Sequence, residues 1–335
     1  MSRARKSWLM IAVAFLLFLL AGGGVMLITK MPLASYRDPL PPLTASEIRI
    51  EENLSRHVRM LADSIGERNI WRSGSLAKTA RFIEDTFTRL GYTVERMEFT
   101  SRKVTVSNLA VELRGSKEPG EIIVIGAHYD SVAHCPGAND NGSGVAALLE
   151  LARLLHDAKP ERTVRFVAFV NEESPFFLRG EMGSRRYAAR CRKLGENIVA
   201  MFSLETIGFY SDQPRSQRYP FPFSFFYPDT GNFIAFVANL DSRHLVRQAI
   251  AAFRRYTRFP SEGTAAPGWL TGISWSDHAS FWREGYPAVM ITDTAPFRYA
   301  AYHRPNDTPE KLDYGRMARA VGGLGKMVEE LARNQ

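Results

Sequence analysis

The sequence predicts an α/β fold: a mixed, mostly parallel central sheet sandwiched by helices and preceded by one N-terminal transmembrane helix. Short apolar runs typical of buried strands alternate with longer amphipathic segments, which is the pattern of a sheet covered by helices. Polar side chains follow directly after several of these runs, where open α/β sheets place their ligands. A long uncharged segment near the N-terminus predicts the membrane helix.

Residues 1–6 form a basic tail, and residues 7–29 are uncharged and mostly apolar, which predicts a transmembrane signal-anchor helix. About 20 apolar residues suffice to cross a bilayer. The basic tail places the N-terminus in the cytoplasm, so the rest of the chain would lie on the periplasmic or extracellular side. The alternative is a signal peptide cleaved near Ala21, which would leave a secreted protein.

Residues 30–45 are rich in proline and predict an extended linker, and residues 46–335 predict one folded domain. The predicted helices cover residues 46–65, 75–90, 142–156, 181–193, 242–256 and 309–334. The predicted strands cover residues 93–99, 107–113, 121–127, 163–171, 198–205 and 288–292. Residues 209–232 interrupt the alternation with clustered aromatic residues and prolines. They form either a loop whose rings pack on the body or a wall of a ligand cleft, or both.

The composition is that of an ordinary globular protein, with 45% apolar and 23% charged residues in a chain of 335. The net charge is +8, but no basic helix or aromatic-basic stripe stands out, so no nucleic-acid partner is expected. The two cysteines, Cys135 and Cys191, fit an oxidising compartment either as a disulfide or as two free thiols. The sequence gives no indication of the oligomeric state.

Side chains suited to a metal site lie at or just after the predicted strands. In chain order they are His128, Asp130, Asp140, Glu172, Glu173, Glu205 and His303. Each alone has a more ordinary explanation, such as a core histidine, a helix N-cap or a solvated loop carboxylate. Zinc binds His nitrogen and Asp or Glu oxygen, and a pair of metals needs a bridging carboxylate. Their order and placement together predict a site for two zinc ions.

The five predicted ligands can serve two ions with three ligands each. His128 and Glu205 would bind one zinc ion, and Glu173 and His303 the other. Asp140 lies in a glycine-rich turn whose backbone can pass close to an ion, and it would bridge the two. A water molecule shared by both ions would complete the arrangement.

Two further carboxylates are predicted to support this chemistry. Glu172 and Glu173 are adjacent and therefore point in different directions, so Glu172 can reach the water while its neighbour binds metal. Glu172 would be the general base. Asp130 lies two residues after His128 in an extended chain, on the same side, and would accept the second imidazole N–H of that histidine.

Several segments of the sequence resemble the zinc aminopeptidases of metallopeptidase family twenty-eight. The likeness covers about residues 45–333, and the block from His128 to Asp140 followed by Asn-Glu-Glu is specific. The matching segments are GAHYDS, PGANDNGSGVAALLELARLL, FVAFVNEE, SLETIGF, SDHASFWREGYPAVMITDT and YHRPNDTPEKLDY. The family includes bacterial leucyl aminopeptidases, aminopeptidase Y, glutamate carboxypeptidase II, glutaminyl cyclases and the transferrin receptor ectodomain.

The resemblance implies a phosphorylase/hydrolase-like α/β sandwich that binds two zinc ions through the five ligands above, with Glu172 as base. Residues 46–335 would then be the zinc peptidase domain of a membrane-anchored aminopeptidase, and the aromatic segment 209–232 suggests a preference for peptides with apolar first residues. No insertion resembling a protease-associated domain interrupts the chain, which favours a compact aminopeptidase. The alternatives are a glutaminyl cyclase-like acyltransferase with one zinc, a catalytically silent binding ectodomain, and a carboxypeptidase or small-amide hydrolase.

The sequence differs from the family pattern in two places. Glu205 occupies a ligand position where the family often has Asp. Before the Ser-Asp-His motif, where some relatives have a tyrosine that stabilises the oxyanion, this chain has Ile273 and Trp275. The oxyanion donor is therefore left open. Asp277 and His278 of that motif are expected to support the site rather than to act as a catalytic pair.

Overall fold

The computed structural model describes residue 24 and residues 28–333. The anchor predicted over residues 7–29 therefore lies almost wholly outside the described residues. Among the helices of the described part, none is long and apolar enough to cross a membrane. Residues 28–333 form one eight-stranded mixed sheet with helices on both faces. This confirms the predicted α/β class and the helix-covered, mostly parallel sheet.

The strands are β1 (Glu95–Ser101), β2 (Val104–Leu113), β3 (Glu118–His128), β4 (Arg162–Phe169), β5 (Asn197–Glu205), β6 (Ile234–Ala238), β7 (Ser261–Ala265) and β8 (Ala288–Thr292). Their order across the sheet is β1-β2-β4-β3-β5-β8-β6-β7. The central strands β4, β3, β5 and β8 are parallel, β1 and β2 are antiparallel additions at one edge, and β6 runs antiparallel to β8. The carboxyl ends of the central strands therefore meet at one edge of the fold.

The helices are α1 (Ala45–Arg59), α2 (Ser73–Arg89), α3 (Gly144–Leu155), α4 (Gly183–Lys193), α5 (Arg243–Tyr256), α6 (His278–Arg283), α7 (Ala295–Arg298) and α8 (Tyr314–Leu331). The larger core lies between one face of the sheet and α1, α2, α3, α5 and α8. The smaller core lies on the other face beneath α4 and α6. Strand β3 supplies both cores by alternation, because Ile123 and Ile125 face the first and Ile122 and Val124 the second.

Strands β6 and β7 were not among the predicted elements. Strand β6 is a five-residue apolar run that periodicity alone cannot separate from the aromatic segment before it. Strand β7 is the sequence SEGTA, which lacks the branched and aromatic residues that favour strands. Both form because of tertiary packing: β6 pairs with β8, and β7 pairs with β6 to form the far edge of the sheet.

The segment predicted as a linker has no helix or strand from residue 30 to residue 44, but it packs along α5 and β7. Arg254 donates hydrogen bonds to the backbone oxygens of Pro32 and Leu33 at 3.0 and 2.8 Å. The backbone N–H of Ser261 donates to the hydroxyl of Ser35 at 2.9 Å. These contacts fasten the start of the described chain to one end of the sheet.

Within the described residues, Cys135 and Cys191 are both buried, free thiols. Cys191 belongs to the smaller core under α4, whereas the thiol of Cys135 donates to the backbone oxygen of Arg304 at 3.0 Å. Of the two possibilities left open by the sequence, the fold therefore contains the pair of separate thiols.

Candidate metal centre

The loops at the carboxyl ends of the parallel strands bring the predicted ligands together. His128 is the last residue of β3 and Glu205 the last residue of β5. Glu173 follows β4, and Asp140 lies in the turn that leads into α3. His303 comes from the loop before α8 and completes the set. Strand register explains the convergence, since neighbouring parallel strands end side by side.

One group of possible ligands consists of His128, Glu172 and Glu205. Atom Nε2 of His128 lies 3.3 Å from Oε2 of Glu205 and 3.8 Å from Oε2 of Glu172. All three side chains are buried. A cation placed among these atoms would meet one nitrogen and two carboxylate oxygens, a donor set that suits zinc.

The second group consists of Asp140, Glu173 and His303. Atom Nε2 of His303 lies 2.9 Å from Oδ2 of Asp140 and 3.4 Å from Oε2 of Glu173. The other oxygen of Asp140, Oδ1, lies 3.4 Å from Nε2 of His128 in the first group. The carboxylate of Asp140 therefore stands between the two groups, as a bridging ligand must.

The residues present fit a metal ion, because their polar atoms are buried without partners. Among the described residues, no hydrogen bond reaches Nε2 of His128, either carboxylate oxygen of Asp140, or Oε1 of Glu173. Leaving such atoms buried and unpaired costs about 1–3 kcal/mol each, and more when they are charged. A divalent cation would satisfy them, so the pattern is that of a centre built to hold metal.

The charges of the metal-free centre are strongly coupled. Burial opposes a charged His128, but Glu172 and Glu205 outweigh it and hold the pKa of His128 well above its usual value. Burial likewise opposes charge on His303, yet Asp140 and Glu173 raise its pKa to about 11. Both histidines thus carry protons that a cation would displace, since metal ligands must be deprotonated.

The adjacent glutamates hold protons more readily than ordinary carboxylates. Burial, followed by Asp140, raises the pKa of Glu173 to about 7. Burial also holds the pKa of Glu172 well above its usual value; the charge of His128 opposes this rise, and Glu205 adds to it. The pKa of Asp140 is lowered instead: burial raises it, but the imidazoles of His128 and His303 close to its two oxygens outweigh the burial.

Asp130 ties two site loops together. Its carboxylate oxygens accept the backbone N–H groups of Glu172 at 3.1 Å and of Glu173 at 3.0 Å. The predicted contact to the imidazole is longer, with Nδ1 of His128 3.5 Å from the carboxylate and 3.2 Å from the backbone oxygen of Asp130. Asp130 thus fixes the loop after β4 more directly than it fixes the histidine ring.

Asp307 is a supporting residue that sequence reasoning did not single out. Its carboxylate accepts the backbone N–H groups of Asn139 at 2.9 Å and Asp140 at 3.0 Å, and the hydroxyl of Tyr299 at 2.8 Å. Burial raises the pKa of Asp307 to about 6. The only signal in the sequence was its place four residues after His303 in the Tyr-His-Arg-Pro-Asn-Asp motif.

Arg68 was also missed, although it is fully buried beneath the loop between His128 and Asp140. Its guanidinium donates to the backbone oxygens of Tyr129 at 2.8 Å and Gly137 at 2.7 Å. A buried arginine whose N–H groups donate to backbone carbonyl groups fixes the path of a loop. Nothing in the local sequence around Arg68 indicates this contact.

Two residues of the Ser-Asp-His motif lie next to the first group of possible ligands. The hydroxyl of Ser276 donates to Oε2 of Glu205 at 2.7 Å. Asp277 is buried near the first group, and burial raises its pKa to about 7. Atom Nε2 of His278 lies 2.7 Å from the backbone oxygen of Ile273, away from both groups. Neither Asp277 nor His278 belongs to the two ligand groups of the described chain.

An apolar pocket adjoins the first group, since Glu205 forms part of its wall. The rest of the wall comes from β6 and the residue before it, β7, β8, the aromatic segment, residues 271–275, residues 294–297 and Tyr302. Its aromatic members include Tyr219, Phe223, Tyr227, Phe233, Trp275 and Phe297. The aromatic segment therefore fulfils both sequence interpretations: some of its rings pack on the body, and they also bound a cleft beside the site.

Tyr302 lies in the same pocket wall, and its ring stacks on that of His303 with centroids 3.9 Å apart. Burial, followed by the nearby carboxylates of Asp140 and Glu205, raises the pKa of Tyr302 far above its usual value. The phenol is therefore a protonated donor next to the metal centre. It is a candidate for the oxyanion donor that the sequence left open.

The fold and this centre are those of a zinc metallopeptidase. The chain belongs to Peptidase family M28, whose family model matches residues 108–326. The Escherichia coli protein YfbL is 39% identical over 282 residues, covering 82% of this chain and 86% of its own length. The predicted zinc metallopeptidase is thereby confirmed at the level of the family.

A more distant relative is also described as a zinc metalloprotease. A probable zinc metalloprotease of Leptosphaeria maculans is 28% identical over 210 residues, which cover 57% of this chain but 47% of that protein. The chain thus spans about half of the length of this fungal relative.

Solved structures support the fold. The aminopeptidase from Aneurinibacillus sp. strain AM-1 has a TM-score of 0.66 at 20% identity, covering 87% of this chain and 96% of that chain. The Fimbriiglobus ruber glutaminyl cyclase has a TM-score of 0.61 at 20% identity, covering 89% and 98%. At these identities the likeness concerns the fold alone.

Proposed function

We propose that this chain is a membrane-anchored aminopeptidase of the bacterial leucyl aminopeptidase or aminopeptidase Y type. It would use two zinc ions to hydrolyse the first peptide bond of peptides with apolar first residues. The observation that carries the proposal is the carboxylate of Asp140, whose two oxygens face two separate ligand groups. A site for one ion would need only one such group.

The ligands would divide as the two groups are divided in space. His128 and Glu205 would hold one zinc ion, Glu173 and His303 the other, and Asp140 both. When bound, the ions supply Lewis-acid polarisation of the substrate carbonyl and lower the pKa of a water molecule. The hydrogen bonds of Asp130 and Asp307 to the backbone hold the ligand loops in place before substrate arrives.

Glu172 would be the general base. Its Oε2 atom lies beside His128, while the adjacent Glu173 belongs to the other group, so the two carboxylates serve different parts of the centre. Glu172 would take a proton from the attacking water and deliver it to the amine that leaves. Glu172 would therefore end the reaction in its starting protonation state, because the proton that it takes from the water is passed to the leaving amine.

Tyr302 would stabilise the oxyanion. Its protonated phenol lies in the pocket wall next to the centre and can donate to the oxygen of the tetrahedral intermediate. The carboxylates of the centre favour a cationic α-ammonium group, which supports cleavage at the amino end of a peptide. The aromatic pocket beside Glu205 would take the first side chain, hence the proposed preference for apolar residues.

Two alternatives predict different observations. A glutaminyl cyclase would use one zinc ion and release ammonia from N-terminal glutamine, and members of that class share this fold. The paired ligand groups favour two ions instead. A silent binding ectodomain would tolerate the loss of ligands, whereas every predicted ligand is present in this chain.

The proposed location rests on the sequence of residues 1–30. A basic tail followed by an uncharged apolar segment favours a single-pass protein whose catalytic domain faces the periplasm or the exterior. Cleavage near Ala21 would instead release the domain.

One combined experiment tests the activity. The full chain is purified in detergent, its zinc content is measured, and hydrolysis of an aminoacyl-amide panel is followed with and without a chelator. We expect two zinc ions per chain and fastest hydrolysis of leucyl and phenylalanyl amides, abolished by the chelator. Ammonia release from N-terminal glutamine with one zinc ion would favour the cyclase, and no turnover of any amide would favour the binding ectodomain.

A further inference from the structure

Four aromatic side chains on two segments that also supply the pocket wall are exposed to solvent, and we call them the aromatic patch. They are Phe221, Phe225, Phe226 and Trp269. Phe221, Phe225 and Trp269 are 81%, 73% and 83% exposed. The ring of Phe225 lies 6.1 Å from that of Phe221 and 6.4 Å from that of Phe226, so three of the rings are contiguous. Exposed apolar patches of this kind mark interaction surfaces.

The patch is held outward by a well-packed base. The hydroxyl of Tyr219 donates to the backbone oxygen of Pro228 at 2.7 Å, which closes the aromatic segment on itself. The hydroxyl of Tyr227 donates to the backbone oxygen of Gly263 in β7 at 2.8 Å, which fastens it to the sheet. Phe223 is buried beneath, in a cluster that Leu270, the neighbour of Trp269, also contacts. The exposed rings therefore protrude from a fixed support.

The described chain begins at the same place. Ile28 and Leu270 both pack against the buried cluster that contains Phe223. The backbone oxygen of Lys30 then accepts a hydrogen bond from Arg247 at 2.5 Å, and Pro32 is held by Arg254. The uncharged, apolar segment that precedes Ile28 is thus joined to the body beside the aromatic patch, through a connection that is fixed rather than loose.

We propose that the aromatic patch inserts into the surface of the lipid bilayer next to the membrane anchor. The inference rests on the anchoring part of the proposed function. A body fastened at Ile28 cannot move far from the end of a segment that spans the membrane, so the patch beside it lies at the level of the headgroups. Phe and Trp are favoured at that depth, where rings bury apolar area while the rest of the chain stays wet.

The bilayer fits this patch better than a second copy of the chain or a protein partner does. The place where the apolar segment joins the body sets the position of the membrane, and this argument applies to the bilayer and not to a second copy or a protein partner. The bilayer also explains why exposed rings occur on two separate segments, 219–227 and 269–275, which both contribute to the cluster against which Ile28 packs. Insertion of the patch into the bilayer would also place the pocket next to the membrane surface.

The test measures the depth of single positions in the full chain reconstituted in phosphatidylcholine nanodiscs. Phe225→Cys and Trp269→Cys are labelled with bimane, and quenching by nitroxide-bearing lipids is recorded. Leu194→Cys is the matched control, because Leu194 is an apolar side chain 60% exposed just before β5, at the opposite end of the strands from the site. Cys135 and Cys191 are buried, and the unsubstituted chain measures their background labelling.

We expect quenching at positions 225 and 269 to be at least about threefold stronger than at position 194. Equal quenching at all three positions, in a chain that resists alkaline carbonate extraction, would overturn the docking and leave the anchor standing. Release of the chain by carbonate would refute the anchor and the docking together. Protection of the label only in discs that hold two chains would indicate a second copy and also refute the proposal.

Two positions are labelled so that the test does not depend on the folding of one variant. If Phe225→Cys does not fold, Trp269→Cys carries the same prediction from the other segment. Hydrolysis of aminoacyl amides by the same preparations reports on the zinc peptidase activity separately. Loss of docking with turnover retained therefore differs from failure of the proposed enzyme.

Discussion

The backbone N–H of Asp140 donates to the carboxylate of Asp307 at 3.0 Å, so the position of the proposed bridging ligand depends on a residue far along the chain. The N–H of Asn139 donates to the same carboxylate at 2.9 Å. Because both groups are buried, they lose their acceptors if Asp307 is changed. The orientation of Asp140, and with it the sharing of one carboxylate by two ligand groups, depends on this contact.

We therefore expect Asp307→Asn to lower zinc affinity by about 10- to 100-fold, the usual effect of changing a residue that orients a ligand. An amide offers one acceptor oxygen in place of two, so one backbone N–H loses its partner. Competition against a zinc-binding dye measures the affinity. Asp241→Asn, an exposed change two residues before α5, is the control. Equal affinities in the two variants would contradict the role of Asp307.

Glu172→Gln should keep its metal but lower kcat by about 10²- to 10⁴-fold, because the amide cannot accept the proton of the attacking water. Steady-state hydrolysis of leucyl amide together with zinc analysis separates the two effects. Glu98→Gln, an exposed change on β1, should behave as the unsubstituted enzyme. A Glu172→Gln variant with full zinc and undiminished turnover would remove Glu172 from the role of base.

Tyr302→Phe should lower kcat by about 10²- to 10³-fold while KM and zinc content change little, since the lost hydrogen bond is made to the oxyanion rather than to the substrate. The phenylalanine keeps the ring that stacks on His303. Tyr256→Phe, at an exposed tyrosine of α5, is the matched control. If KM rises and kcat is preserved, Tyr302 contributes to the pocket wall and not to the oxyanion.

His278 should make the fold sensitive to acid. Burial lowers its pKa to about 4 from an unfolded value of 6.5, although the contact with Ile273 opposes the shift. As the pH falls, His278 therefore binds a proton in the unfolded chain before it does so in the folded chain. Its contribution to the free energy of unfolding is complete above pH 6.5 and is lost as the pH falls toward 4. From about pH 7.5 to about pH 5 this group should account for a loss of about 2 kcal/mol.

Urea unfolding of the metal-free chain at several pH values measures that loss. His278→Gln keeps an N–H donor but does not titrate, so its stability should fall less steeply over the same interval. Other titrating groups are common to both proteins and cancel in the comparison. Parallel pH profiles for the two proteins would mean that His278 does not carry the effect.

Much of the fold was predictable because its central strands carry the signal of buried sheets. Strands β3, β4 and β5 are apolar runs that end in polar residues, and the ends of parallel strands meet at one edge. The five candidate ligands could therefore be named from their positions after strands. Strand β7 could not, because SEGTA pairs with β6 for reasons of tertiary packing and not of composition.

The supporting residues were harder to predict than the ligands. Arg68 and Asp307 hold the turn around Asp140 through hydrogen bonds to backbone atoms, and backbone groups carry no sequence signature. Tyr302, the proposed oxyanion donor, lies beside His303 and far from the segment before the Ser-Asp-His motif, so its place in the sequence does not indicate the role. Contacts between distant loops become visible only in three dimensions.

The position of Asp140 between the two ligand groups also bears on how the enzyme would respond to scarce metal. If the carboxylate of Asp140 turns toward one ligand group, its second oxygen changes position relative to the other group. Filling of the first position should thus alter the affinity of the second, so that activity would follow zinc supply along a curve that differs from simple saturation.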